Sequence, residues 1–126
     1  MNLTREQVEI IISEAISNLG KPYSKDFDCV RFVRLVYEKA GIKIPLLKSH
    51  LPPNEWNISR EQICDPPVGR LIFLKDPYDP RKNRSWTHVV IILTKQSCIH
   101  CSLFFGRRVV ISTIGEILER YNFAEK

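Results

Sequence analysis

The sequence predicts an α+β fold in one domain spanning residues 1–126: helices first, then a run of antiparallel strands. Three observations carry this. Apolar residues recur at helical spacing in two N-terminal stretches that stop at Gly20 and Gly41. Short runs rich in β-branched residues fill the region from Leu71 to Ile111, and a proline-rich stretch without periodicity separates the two regions. With 126 residues and 44% hydrophobic content, the chain can build a core without disulfides or a structural metal.

Thr4 with Gln7 forms a capping box, and Val8, Ile11, Ile12, Ala15, Ile16 and Leu19 then share one helical face, predicting a core-packing first helix. The turn from Lys21 to Asp28 leads into a second helix from Cys29 to Ala40, expected to be central and largely buried. From Lys43 to Pro67 the prolines Pro45, Pro52, Pro53, Pro66 and Pro67 predict loop, with one short helix near Ser59 and His50 at the surface. Strands are predicted at Leu71–Leu74, Thr87–Leu93, Cys98–Phe105 and Arg107–Ile111, and a capping box of Thr113 and Glu116 starts a short last helix. The expected architecture packs the helices on one face of the sheet.

Cys29 sits at the start of the second helix. A thiol there feels the positive end of the helix dipole and unpaired backbone N–H groups, which favour thiolate. Taken alone, a cysteine is more often an inert core residue than a nucleophile. The element order places Cys29 on the helix and His88 and His100 on the sheet it covers, so that a nucleophile and a base can meet at the helix end.

The blocks Leu19-Gly20-Lys21-Pro22-Tyr23, Asp28-Cys29, Val33, Val36-Tyr37, Gly41-Ile42 and Pro45 resemble the nucleophile segment of the NlpC family of papain-like cell-wall cysteine peptidases. Gly69-Arg70-Leu71-Ile72-Phe73-Leu74, Thr87-His88-Val89 with Ile91, Ile99-His100-Cys101-Ser102 and Val110-Ile111-Ser112 resemble its later blocks in order. The resemblance implies a papain-like domain with N-terminal helices on an antiparallel sheet and a nucleophile, Cys29, at the N-terminus of the central helix. It implies His88 as the base and His100 as the group that orients it. The backbone N–H of Cys29 and the hydroxyl of Tyr23 are oxyanion candidates. Asp28, Arg31 and Trp86 are candidate substrate-binding residues, with Trp86 and the loop from Asp76 to Ser85 as walls of the cleft. Val30-Arg31 replaces the family's usual Ser-Gly after the nucleophile, Lys25-Asp26-Phe27 its paired glycines, Arg70 its common Asp, and Val90 a small residue.

The hairpin between the histidines tests the arrangement. A two-residue turn, or a four-residue loop in the same register, sets His88 opposite Leu103 and sends His100 to the other face. A three-residue connection or a bulge sets Val90 opposite His100 and leaves the histidines as diagonal neighbours. The triad therefore predicts a three-residue or bulged connection, although the turn contains no glycine for a left-handed position.

Other classes are excluded by simple features. Cys98-Ile99-His100-Cys101 falls within a strand, where residues three apart point to opposite faces, so no metal site is expected, and no cofactor. The net charge of +5 is modest, and Arg81-Lys82-Asn83-Arg84 lacks interleaved aromatics, so no nucleic-acid partner is expected. No stretch is long enough for a transmembrane segment. The four cysteines and the polar start, Met1-Asn2-Leu3-Thr4-Arg5-Glu6, predict reduced thiols and synthesis in the cytoplasm without a signal peptide. From there the protein either stays or leaves by a phage, secretion-system or other non-classical route. The expected activity is hydrolysis of an amide bond in a peptide or peptidoglycan fragment. The alternatives are an acyltransferase or a hydrolase of a cytosolic amide, ester or thioester, and a silent binding module. The joint presence of Cys29, His88 and His100 argues against the last.

Overall fold

A computed structural model describes residues 2–45, 49, 56–81 and 83–125. His50 and Lys82 lie outside the described residues. Helix α1 (Arg5–Ser17) starts at its capping box: Thr4 Oγ1 accepts the Gln7 N–H at 3.1 Å, and Gln7 Oε1 accepts the Thr4 N–H at 3.0 Å. It is less buried than its apolar stripe predicts. Ile11 and Ala15 are enclosed, but Ile16 and Leu19 are each 44% exposed, because α1 packs on helix α2 (Cys29–Lys39) rather than on the sheet.

Asp28 caps α2, its carboxylate accepting the Arg31 N–H at 3.0 Å. Phe32, Val33, Val36 and Tyr37 are fully buried, and the Tyr37 hydroxyl donates to the Gly69 carbonyl at 2.5 Å. A 3₁₀ helix, Arg60–Cys64, lies where the short helix near Ser59 is predicted.

Strands β1 (Leu71–Lys75), β2 (His88–Ile92), β3 (Ser97–Ser102) and β4 (Arg108–Thr113) follow, then helix α3 (Ile114–Arg120) and a short strand β5 (Asn122–Phe123). The five strands form one antiparallel sheet in the order β4-β3-β2-β1-β5. Sequence periodicity does not reveal β5, which is too short to alternate. The segment Gly20–Tyr23 lies along the outer edge of β4: Gly20 N–H donates to Val109 O at 3.0 Å, Val109 N–H to Lys21 O at 2.9 Å, and Tyr23 N–H to Arg107 O at 2.9 Å.

Both faces of the sheet are buried, which corrects the expectation of helices on one face only. Leu71, Phe73, Val89, Ile91, Ile99, Cys101 and Val109 pack with α2, while Ile72, Leu74, Val90, Ile92 and Cys98 pack with Ile58, Ile114, Ile117, Tyr121 and Phe123. The signal lies in the strands themselves, whose apolar runs do not alternate with polar residues. Buried Asn57 joins the layers' margin, its amide donating to Ala124 O at 2.6 Å and its carbonyl accepting the Phe73 N–H at 2.9 Å.

The β2–β3 connection is the three-residue loop Thr94-Lys95-Gln96, closed by Leu93 N–H donating to Ser97 O at 2.9 Å. Ile91 pairs with Ile99 and Ile92 with Cys98, a register that sets Val90 opposite His100. No left-handed residue is needed. The Thr94 hydroxyl accepts the backbone N–H groups of Gln96 and Ser97 at 3.2 and 3.1 Å and so supplies the turn that a glycine would otherwise make.

Candidate active site

Cys29 is the first residue of α2 and His88 the first residue of β2, so each is carried at the end of an element. Both line a cavity of about 150 Å³. The histidines lie on the sheet, as the element order predicts, but on the face away from α2. They share the α3 face: the His88 ring stacks on Tyr121 with centroids 5.1 Å apart, and Phe105 meets His100 edge-on at 5.5 Å. Because His88 opens its strand, thiol and imidazole reach one cavity around the end of the sheet rather than across a face.

His88 Nε2 lies 2.7 Å from His100 Nδ1, and His100 Nε2 lies 2.9 Å from Ser112 Oγ. Burial, and secondarily the neighbouring His100, holds the His88 pKa well below the usual 6.5; burial lowers His100 to about 4. Both rings are therefore neutral near neutral pH. Burial also pushes the Cys29 thiol up to about 12, outweighing the backbone N–H groups of Val89 and Val30 that favour its thiolate. The helix terminus acts in the expected direction, but desolvation is the larger effect. The resting site is a neutral thiol beside a neutral imidazole.

Tyr23 lines the cavity, placed by its backbone bond to Arg107, and burial raises its hydroxyl pKa. Asp76, Asp79 and Arg81 form the wall expected of the loop after β1. Arg120 binds Asp76 through two contacts, 2.7 and 2.9 Å, and its guanidinium sits 4.5 Å from the centre of the Phe104 ring. The Asp79 side chain is 8% exposed beneath Arg81, whose side chain is 55% exposed, so the cation is the member of that pair presented outward. Leu103 and Phe104, on the β3–β4 turn, add an apolar side.

Three of the substrate-binding candidates fall outside this cavity. Trp86 is 3% exposed and packs edge-on to Phe73 with centroids 5.0 Å apart, a core residue rather than a cleft wall. Its neighbour Thr87 takes the wall position and bonds the Asp76 N–H at 2.8 Å. Arg31 folds back on Asp28 at 3.2 Å and on the Lys25 carbonyl at 3.0 Å, so Asp28 and Arg31 serve the helix start. Sequence reasoning missed Tyr121, Leu103, Phe104 and Ser112. Only Ser112 had a usable signal, since it is two residues beyond Val110, the partner of His100, and so shares its face.

A family model described as the NlpC/P60 family matches residues 18–122. The chain belongs to the NlpC/P60 family. Solved NlpC/P60 structures share its fold. A protein described as similar to lipoprotein, from Staphylococcus aureus subsp. aureus Mu50, is 24% identical with a TM-score of 0.69. A family member from Bacillus cereus ATCC 10987 is 25% identical with a TM-score of 0.71. This chain covers 97% and 94% of itself in those matches but spans only 41% and 39% of those proteins. The P60 domain of an antigen from Mycobacterium avium subspecies paratuberculosis is 21% identical with a TM-score of 0.66, and 87% of each chain is covered. A search of curated proteins finds no match. Among the described residues of this NlpC/P60 domain, no helix is long and apolar enough to cross a membrane.

Proposed function

We propose that this chain is a cysteine hydrolase that cleaves an amide bond through an acyl-enzyme, and that the amide lies in a peptidoglycan stem peptide. The observation that carries the reading is the shared cavity: Cys29 and His88 line it together while His100 meets His88 Nε2 at 2.7 Å. NlpC/P60 membership supports a peptide target, since the family is generally one of cell-wall peptidases.

With Nε2 engaged by His100, the His88 Nδ1 is the nitrogen left for the thiol proton. As Sγ bonds to the substrate carbonyl carbon, the thiol proton passes to Nδ1 and charge moves onto the carbonyl oxygen. The Cys29 N–H and the Tyr23 hydroxyl donate to that oxyanion. Collapse breaks the C–N bond, and the departing amine takes the proton from Nδ1. Water then attacks the acyl-enzyme, giving a proton to Nδ1. Release of the acid returns that proton to Sγ. The neutral resting pair means that the thiol proton leaves as the Sγ–C bond forms, so no free thiolate has to accumulate in the desolvated site before attack. Arg81 suits a carboxylate on the substrate, because it is the outward member of its ion pair.

A second reading, hydrolysis or transfer of an apolar acyl group, is favoured by Leu103 and Phe104, which line the cavity yet remain 41% and 57% exposed. One experiment separates the two. Wild type and Cys29→Ala are incubated with defined muropeptides while new amines are quantified, and in parallel with acyl esters of graded chain length. Amine release by wild type alone supports the peptidase. Ester hydrolysis without amine release supports the second reading, and the absence of both overturns each.

A further inference from the structure

We propose that Ser112 is a positioning residue that sets the proton arrangement of His88 through His100. The inference rests on reading His88 as the base, and it adds a member to that site.

His100 is fully buried, and each of its ring nitrogens has one partner: Nδ1 faces His88 Nε2 at 2.7 Å and Nε2 faces Ser112 Oγ at 2.9 Å. Each neutral imidazole carries one N–H, so the contacts allow two arrangements. In the first, His88 Nε2–H donates to His100 Nδ1, His100 Nε2–H donates to the Ser112 oxygen, and His88 Nδ1 is bare. In the second, every bond reverses: the Ser112 hydroxyl donates to His100 Nε2, His100 Nδ1–H donates to His88 Nε2, and His88 Nδ1 carries a proton. Only the first can accept the proton of Cys29.

The first arrangement needs an acceptor at the far nitrogen of His100, and Ser112 Oγ is the group that faces it. A histidine in the third position, unlike a carboxylate, can donate as well as accept. Without that oxygen the first arrangement leaves the His100 N–H buried and unpaired, whereas the second leaves only a bare ring nitrogen, so the hydroxyl is what makes the first arrangement available. Ser112 is 6% exposed and shares the face of His100, which limits competition from bulk water. When His88 becomes an imidazolium, its Nε2–H continues to donate to His100 Nδ1, and the first arrangement persists without any proton moving along the line.

The test uses the full chain labelled with ¹⁵N at histidine, long-range ¹H–¹⁵N spectra at pH 7, and the rate of Cys29 alkylation by iodoacetamide. In wild type, both His88 and His100 are expected as Nε2–H tautomers. Ser112→Ala removes the acceptor; the two rings should become tautomer mixtures and alkylation should slow by about two- to tenfold, the range for one neutral hydrogen bond. Ser112→Thr keeps the hydroxyl and should restore both readouts. Ser112→Cys, close in volume and a poor acceptor, reports the same loss if the alanine variant does not fold. An Nδ1–H tautomer at His88 in wild type, or unchanged tautomers in both Ser112→Ala and Ser112→Cys, overturns the proposal. Tautomers behaving as expected in a wild-type protein that releases no amine from muropeptides would overturn the peptidase reading and leave the role of Ser112 standing.

Discussion

At Cys29 two physical influences oppose each other, and their relative size decides the resting chemistry. The helix start and the N–H groups of Val89 and Val30 stabilise negative charge on sulfur, whereas burial opposes it and raises the thiol pKa to about 12. Without substrate, the rate of Cys29 alkylation is expected to climb continuously with pH through pH 10. A plateau below pH 7 would instead reveal a thiolate–imidazolium pair and contradict the neutral site. The proposed reacting residues stand out in the sequence because few side chains can attack or accept a proton, and Cys29, His88 and His100 stand in an order that limits their pairing. Burial was not legible, because the groups that act on the thiol come from separate elements, Val89 in β2, Cys101 in β3 and Asp28 before α2. Trp86 shows the same limit: whether it or Thr87 faces the cavity depends on where strand alternation begins, which no residue there marks.

Among the elements, the β2–β3 hairpin converts sequence spacing into site geometry. A separation of twelve residues brings the two imidazoles together only because the loop has three residues, and that loop depends on the Thr94 hydroxyl. Thr94→Ala is expected to lower stability by about 1 kcal/mol, measured by urea unfolding, because it removes an acceptor from two backbone N–H groups. Parity arguments could identify this register in advance. They could not anticipate how the turn is made, since a serine- or threonine-based turn and a glycine turn connect the same strands. Asn57 acts between elements. Asn57→Ala leaves the Phe73 N–H and the Ala124 carbonyl without their buried partner, and a loss of about 2–4 kcal/mol is expected in the same unfolding measurement.

Across the whole molecule, the histidine pair couples the site to acid stability. Burial depresses both folded-state pKa values, so below the unfolded-state value of 6.5 the unfolded chain binds protons that the native site resists. Stability is full above pH 6.5 and falls as pH approaches 4, by up to about 1.4 kcal/mol per pH unit for each histidine. Asp79, held near a pKa of 2 by Arg81, adds its own loss only at lower pH. His100→Asn should flatten the decline between pH 6.5 and 4.5 in urea midpoints; an unchanged slope would dissociate the pair from acid sensitivity. At this scale the α+β class and the positions of the four main strands along the chain were readable from periodicity, whereas their order in the sheet was not. The second layer was harder to read, because continuous apolar strands show that both faces are covered without naming the covering segments.

The outer edge of β4 gives the entry to the nucleophile a second consequence. Gly20–Tyr23 occupies backbone groups of β4 that would otherwise be open to an extended strand from another chain, and the same segment carries Tyr23 to the cavity. A substitution that detached it would expose a template for edge-to-edge association while displacing Tyr23, the proposed oxyanion donor, from the cavity. On that proposed role, lost activity and a tendency to aggregate would arise from one event.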